Sequence, residues 1–279
     1  MIAALIIVFR EVFEAGLIVG IVLAVTRTVP HRNWWIGGGM TVGVFGACLV
    51  AVFAGASSNL FAGMGQELLN ATILAVAVVM LTWHNVWMAR HGSELAGTLR
   101  AAGQAVVAGS KSLLALAVVV GVAVLREGSE VVLFLYGVVA ARADTGWDVA
   151  FGGVAGLGLG ALVTLLTYFG LVRIPTRALF TTTTILIALL AAGMAAQAAA
   201  FLEKANWLTA MDNVVWDSGW LLSDASIPGK ALHTLIGYTD QPTAMELAVY
   251  LAVLAVTFVL MRLYGAPVKS VTGPAPARG

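Results

Sequence analysis

Charge is scarce in this chain: 10% of its 279 residues are Asp, Glu, Lys or Arg, where a water-soluble domain carries about 25%. With 60% hydrophobic residues, the composition excludes an ordinary soluble protein and predicts one solvated by lipid. Long basic runs are missing and the formal net charge is +1. That excludes a nucleic-acid partner, because phosphate binding needs clustered Lys and Arg. Cysteine is reduced to one residue, Cys48, so neither an intramolecular disulfide nor a thiolate metal cluster can form. The first residues, Met1-Ile2-Ala3-Ala4-Leu5, lack the basic region of a secretory signal, and no small-residue cleavage site follows. They read as the start of a retained spanning helix.

Apolar length is abundant. A helix needs about 20 apolar residues to cross a ~30 Å hydrocarbon layer, and seven stretches reach that length, at 2–26, 35–56, 68–90, 113–141, 147–171, 179–202 and 244–264. Glycines crowd the second and fifth, where small residues let helix backbones approach closely. The expected fold is all-α, a polytopic membrane protein with seven transmembrane helices in a single domain over 1–265. A disordered tail follows at 266–279, where Pro267, Pro274 and Pro276 stand among small residues. Short cytoplasmic loops collect Lys and Arg. One set of loops holds ten, Arg27, Arg32, Arg90, Arg100, Lys111, Arg173, Arg177, Arg262, Lys269 and Arg278; the other holds Arg142, Lys204 and Lys230. This places the N-terminus outside and the C-terminus in the cytoplasm. The outer loops also carry most of the acids, a field that favours an approaching cation.

Against this background two segments stand out, Arg10-Glu11-Val12-Phe13-Glu14 and Arg126-Glu127-Gly128-Ser129-Glu130. A charge at the bilayer centre costs about 2.5–3.5 kcal/mol on insertion scales, so six of them require partners, a ligand or a water-filled cavity. The motifs lie 116 positions apart, and Gly38-Gly39 and Gly46-Ala47 match Gly152-Gly153 and Gly160-Ala161 at 114. Helices 1–3 (about 1–91) and 4–6 (about 113–202) therefore read as duplicated halves. Three is odd, so the second half enters from the opposite side and makes an inverted repeat, the plan of transporters whose site lies near the midplane.

Residues three or four apart share a helix face. Glu11 and Glu14 point the same way, as do Glu127 and Glu130, with Arg10 and Arg126 one turn from Glu14 and Glu130. If the motif helices meet, four carboxylates converge with two guanidinium groups and leave a formal deficit of about two negative charges. Oxygen-rich sites of this kind suit hard or borderline metal cations. The bland alternative is a pair of internal ion pairs, Arg10–Glu14 and Arg126–Glu130, which leaves Glu11 and Glu127 unexplained.

Weaker signals surround the motifs. Met80, His84, Met88 and His91 form a stripe on the third helix that reads either as a softer step of a metal pathway or as packing around a hydrogen-bonded histidine, and packing is the preferred reading. Glu67 reads as a cation ligand at the outer mouth or as a solvated helix-start acid. The outer loop 203–243 holds Trp207, Trp216 and Trp220, which predicts a short interfacial helix near 213–222 and another near 229–237. Its Asp212, Asp217 and Asp224 are candidates for capturing cations or meeting a partner.

Paired Arg-Glu-x-x-Glu motifs on the first and fourth of seven spanning helices resemble those of the oxidase-dependent iron permease family, which includes fungal iron permeases and bacterial ferrous iron permeases of the EfeU type. The likeness extends to Leu81-Thr82-Trp83, Trp87-Met88 and Ile236-Gly237-Tyr238. The family motif is Arg-Glu-Gly-Leu-Glu; here Val12-Phe13 replaces Gly-Leu in one copy and Ser129 replaces Leu in the other. Members often carry methionine where His84 stands. The resemblance implies iron transport, as Fe2+ or Fe3+, across the cytoplasmic membrane, with Glu11, Glu14, Glu127 and Glu130 handling metal and Arg10 and Arg126 organising them. It implies no permanently bound cofactor, no enzyme activity, and an outer-side oxidase, haem peroxidase or iron-binding protein as partner. The alternatives are a transporter of another divalent cation, a scaffold subunit, and an intramembrane lipid-phosphate hydrolase using Ser110, Lys111 and Ser112.

Overall fold

All seven apolar stretches fold as helices. In order they are α1 (Ile2–Val25), α2 (Arg32–Leu60), α3 (Gln66–Val107), α4 (Leu113–Ala140), α5 (Gly146–Tyr168), α6 (Thr176–Lys204), the short α7 (Ile227–Ile236) and α8 (Ala244–Tyr264). The computed structural model describes residues 1–60, 66–140, 146–170, 176–224 and 226–264, apart from the side chains of 56–60, 66, 89–93, 95–96, 176–180, 227, 230 and 234–235. The tail expected at 266–279 lies outside them, as does the side chain of His91. Among the described residues five helices, α2, α3, α5, α6 and α8, are long and apolar enough to cross a membrane. Helices α1 and α4 have the length, 24 and 28 residues, but each carries the three charges of its motif.

Helix α3 departs from the expected span. It runs 42 residues, about 63 Å at 1.5 Å per residue, well past position 90. Beyond Arg90 the sequence has no proline and is rich in Ala, Leu, Glu, Arg and Gln, all good helix formers. The extension also has something to bury. Leu99 and Val106 join Ile18 and Val22 of α1 and Leu116 and Val120 of α4 in one apolar cluster.

The main partners are α2 with α4, α1 with α5, α3 with α6 and α6 with α8, while α1 also packs on α4 and α3. Glycine sets two of these contacts. A Cβ at Gly43 of α2 would stand 2.7 Å from the Gly121 carbonyl oxygen of α4, and Gly46 meets Leu125. A Cβ at Gly156 of α5 would stand 2.6 Å from the Leu5 carbonyl oxygen of α1, and Gly160 meets Phe9. Gly39 meets Ala117 in the first interface, as Gly152 meets Met1 in the second. Each α4 partner, 117, 121 and 125, lies 116 positions beyond its α1 counterpart, 1, 5 and 9, which is also the spacing of the charged motifs.

Gly156→Val should therefore force α1 and α5 apart. Overpacking of this kind costs about 1–3 kcal/mol. The purified variant should melt at a lower temperature than the parent, while Gly158→Val, whose Cβ would have nothing within 4 Å, should melt with it. Equal melting of all three would show that this contact does not hold the fold.

The outer loop corrects one expectation. Residues 213–222 form turns and extended chain, not a helix. Val214 bridges to Thr243, Val215 N–H donates to Pro242 O at 2.9 Å and Ser218 N–H to Asp240 O at 2.9 Å. The backbone groups are thus satisfied across the loop, and Asp217-Ser218-Gly219 favours turns over helix. Helix α7 lies close to the expected 229–237. Ser226 caps it by accepting from Gly229 N–H at 3.1 Å, and Gly237 ends it at φ 70°. Gly237 also packs directly on Gly193 of α6, so the position needs glycine twice over.

Candidate metal site between the charged motifs

Helix α1 packs against α3, α4 and α5, and its charged face is buried among them. Arg10, Glu11, Glu14, His84 and Glu127 are each 3% exposed or less. Arg10 Nε pairs with Glu14 Oε1 at 2.8 Å and its Nη1 stands 3.6 Å from Glu11 Oε1. On α4, Arg126 Nε pairs with Glu130 Oε1 at 3.0 Å and lies 4.0 Å from Glu127 Oε1. Both arginines thus pair within their own helix, as the sequence spacing requires.

The two half-sites then meet. Glu11, Glu127 and Glu130 bring carboxylate oxygens within 4.8 Å of one another, and so do Glu11 and Glu14 with a His84 ring nitrogen. Glu11 belongs to both groups. Buried like-charged carboxylates at this spacing are costly unless a cation joins them. Both carboxylate oxygens of Glu11, Glu14 Oε2 and His84 Nε2 are buried with no hydrogen bond among the described residues.

His84, whose preferred reading from sequence is packing, stands in this cluster. Its Nε2 lies 3.8 Å from Glu11 Oε2 and 3.7 Å from Glu14 Oε2, and its Nδ1 contacts Glu130 Oε2. One element of packing is real: the ring meets Phe134 edge-on, centroids 6.1 Å apart. Trp87, one turn further along α3, was not a sequence candidate. Its ring lies 4.0 Å beneath the Arg126 guanidinium carbon, a cation–π contact. Helix α3 thus contributes to both half-sites, and the i, i+3 spacing of His84 and Trp87 puts the two rings on one face of it.

The halves differ in exposure. The side chains of Arg10 and Glu14 are 1% and 2% exposed, those of Arg126 and Glu130 36% and 15%. The site is sealed on the α1 side and more open on the α4 side.

The remaining candidates lie elsewhere. Met80 packs against the apolar cluster around Leu74, Leu81 and Ile187, and Met88 is half-buried. Glu67 is exposed in the first turn of α3. Asp212 and Asp217 are exposed; Asp217 accepts from Gln241 Nε2 at 3.0 Å and from Gly219 N–H at 2.9 Å. Asp224 donates its N–H to Asp240 Oδ2 at 3.2 Å. Burial raises its carboxyl above its ordinary value, and the Asp240 charge adds to this. Ser110, Lys111 and Ser112 form an exposed turn, where the Ser110 hydroxyl donates to Ala105 O at 2.8 Å.

Residues 1–271 match the iron permease FTR1 family. The chain belongs to that family. It is 34% identical to the ferrous iron permease EfeU of Escherichia coli O6:H1 over 269 residues, covering 93% of this chain and 96% of that one. It is 32% identical to EfeU of Yersinia pestis over 276 residues, 97% and 95% of the two chains. Over 249 residues it is 32% identical to EfeU of Shigella sonnei, 88% and 89%. These relatives are named as permeases, which are transporters and not enzymes. No solved structure gives a significant match. Family membership and five apolar helices together describe an integral membrane protein of the iron permease FTR1 family.

Proposed function

We propose that this family member carries iron, as Fe2+, across the cytoplasmic membrane into the cell, through a site built from Glu11, Glu14, Glu127 and Glu130 with Arg10 and Arg126 as organisers. The observation that carries the reading is a pair of ligand triplets that share Glu11, Glu11–Glu14–His84 from α1 and α3 and Glu11–Glu127–Glu130 from α1 and α4, with the ligating atoms of each triplet within 4.8 Å of one another. Four carboxylates against two guanidinium groups leave a formal deficit of two, the charge of one ferrous ion. The relatives' name, ferrous iron permease, supports the same oxidation state.

The fold that goes with this reading is a single transmembrane domain of seven spans, with α1–α3 and α4–α6 as an inverted repeat, the N-terminus outside and the C-terminus cytoplasmic. The matched glycine contacts of α2 on α4 and α5 on α1 support the repeat, and the ten-to-three split of basic residues supports the orientation. Transport then proceeds by handing the ion between the two overlapping triplets, with Glu11 common to both, as one half rocks against the other. The exposed acids Glu67, Asp212 and Asp217 face the outside in this arrangement. There they draw the cation in and meet an iron-delivering oxidase, haem peroxidase or iron-binding protein.

Proteoliposomes test this directly. Radio-iron should accumulate with reductant present well above protein-free vesicles, with less uptake under oxidant and no phosphate released from lipid phosphate esters. Greater uptake under oxidant would reverse the oxidation state, phosphate release would favour a hydrolase, and absence of uptake in both conditions would reject the transport reading.

A further inference from the structure

We propose that His84 is a metal ligand that sets cation selectivity: its Nε2 adds a nitrogen donor beside Glu11 and Glu14, so the site prefers a borderline transition-metal ion to Mg2+ and Ca2+. This rests on the carboxylate site proposed above and deepens it by naming what distinguishes iron from the abundant hard divalent cations.

The geometry separates the two ring nitrogens. Nδ1 is against Glu130 Oε2, and a neutral imidazole has one N–H and one lone pair. With the N–H directed to Glu130, the lone pair lies on Nε2, which faces Glu11 Oε2 at 3.8 Å and Glu14 Oε2 at 3.7 Å. Those distances are too long for hydrogen bonds. They are a few tenths of an ångström wider than the ~3.4 Å between neighbouring ligands held tetrahedrally at about 2.1 Å from one ion, so a small inward shift brings these atoms to ligand spacing. A carboxylate on the far nitrogen, fixing ring orientation and raising the basicity of the near one, is the usual support of a metal-bound histidine. The Phe134 edge fixes the ring from a third direction.

Chemistry gives the nitrogen its consequence. Carboxylates alone suit Mg2+, Ca2+ and Mn2+, whereas imidazole favours iron, zinc, nickel and copper. Among the described residues no second nitrogen replaces it from the other half. Where α6 takes the place of α3 in the repeat, at an offset of 112, Ala196 matches His84, and the neighbouring inward positions Ala191, Ala192, Ala195 and Ala199 are also buried alanines. Apart from His84, the clustered donors among the described residues are all carboxylate oxygens.

The decisive variant is His84→Gln, which keeps a polar side chain of similar length but offers a harder amide donor. Fe2+ uptake into proteoliposomes is measured against rising Mg2+ or Ca2+. The parent should resist a large excess of either, and the variant should lose at least about tenfold in selectivity, the scale on which disturbed metal-site partners act. A fall in uptake with unchanged selectivity would assign His84 to packing and overturn the inference, as would no change at all.

A second readout does not depend on transport. The detergent-solubilised parent loaded with Mn2+ should show nitrogen modulation from a directly bound imidazole in pulsed electron paramagnetic resonance, and His84→Gln should lose it. Absence of the modulation in the parent overturns the inference whatever the variant transports. If Glu11→Gln loses uptake while His84→Gln keeps parental selectivity, the carboxylate site stands and only the role of His84 falls. If Glu11→Gln transports normally, the carboxylate site itself falls.

Discussion

Glu11→Gln is expected to reduce iron uptake on the order of 100-fold or more, to the level of vesicles without protein, while its abundance in the membrane stays that of the parent. Changes to partners outside the ligand shell already cost metal sites about 10–100-fold, and Glu11 is placed within that shell. It is also the carboxylate common to both groups of clustered ligand atoms, so its loss removes a donor from each ion position at once. Glutamine matches the shape of glutamate and relieves like-charge repulsion, which is why folding should survive. Uptake should not, because the formal deficit that draws a divalent cation falls from two to one. Glu14→Gln and Glu127→Gln remove one donor from one triplet each and should also impair transport, with Glu11→Gln the most severe. The measurement is initial-rate uptake normalised to protein in the membrane; parental rates in Glu11→Gln would reject the site.

Much of this site could be read from the sequence because helices make spacing into geometry. An Arg-Glu-x-x-Glu motif necessarily puts Arg10 one turn from Glu14, and the 2.8 Å pair is the result. The apolar runs fixed where helices form for the same reason: length and hydropathy act locally. What the sequence could not convey was how α3 lies against α1 and α4. His84 and Trp87 are four and seven residues from Met80 on a helix whose sequence gives no sign of which face meets the motifs. Only packing put one ring among the glutamates and the other under Arg126. The tryptophans of the outer loop suggest a helix at 213–222 that does not form, because tryptophans signal an interface and not a backbone conformation. Its long-range bonds to Asp240, Pro242 and Thr243 have no local signature.

The duplicated motif predicts that Arg10 and Arg126 are equivalent, and their environments predict that they are not. Arg10→Met should sharply lower the yield of folded protein, whereas Arg126→Met should be recovered close to parental amounts with impaired uptake. Removing one partner of a buried ion pair leaves the other charge without compensation, at about 3–5 kcal/mol, a large share of the ~5–15 kcal/mol that holds a typical fold. Glu14, 2% exposed, would carry that burden when Arg10 is lost. Glu130 is 15% exposed and contacts His84, and the Arg126 side chain is 36% exposed, so solvent and a neighbouring imidazole offset its loss. The comparison is made by size-exclusion profile and melting temperature of both variants. The double variant Arg10→Met with Glu14→Leu separates folding from transport. Replacing both members of a buried pair by apolar groups is often neutral or stabilising, so the double variant should regain folded yield. It should not regain iron uptake, because one ligand of the Glu11–Glu14–His84 group is gone. Equal yields of Arg10→Met and Arg126→Met would mean that the difference in burial carries no energetic weight, and recovery of uptake in the double variant would remove Glu14 from the ion's path.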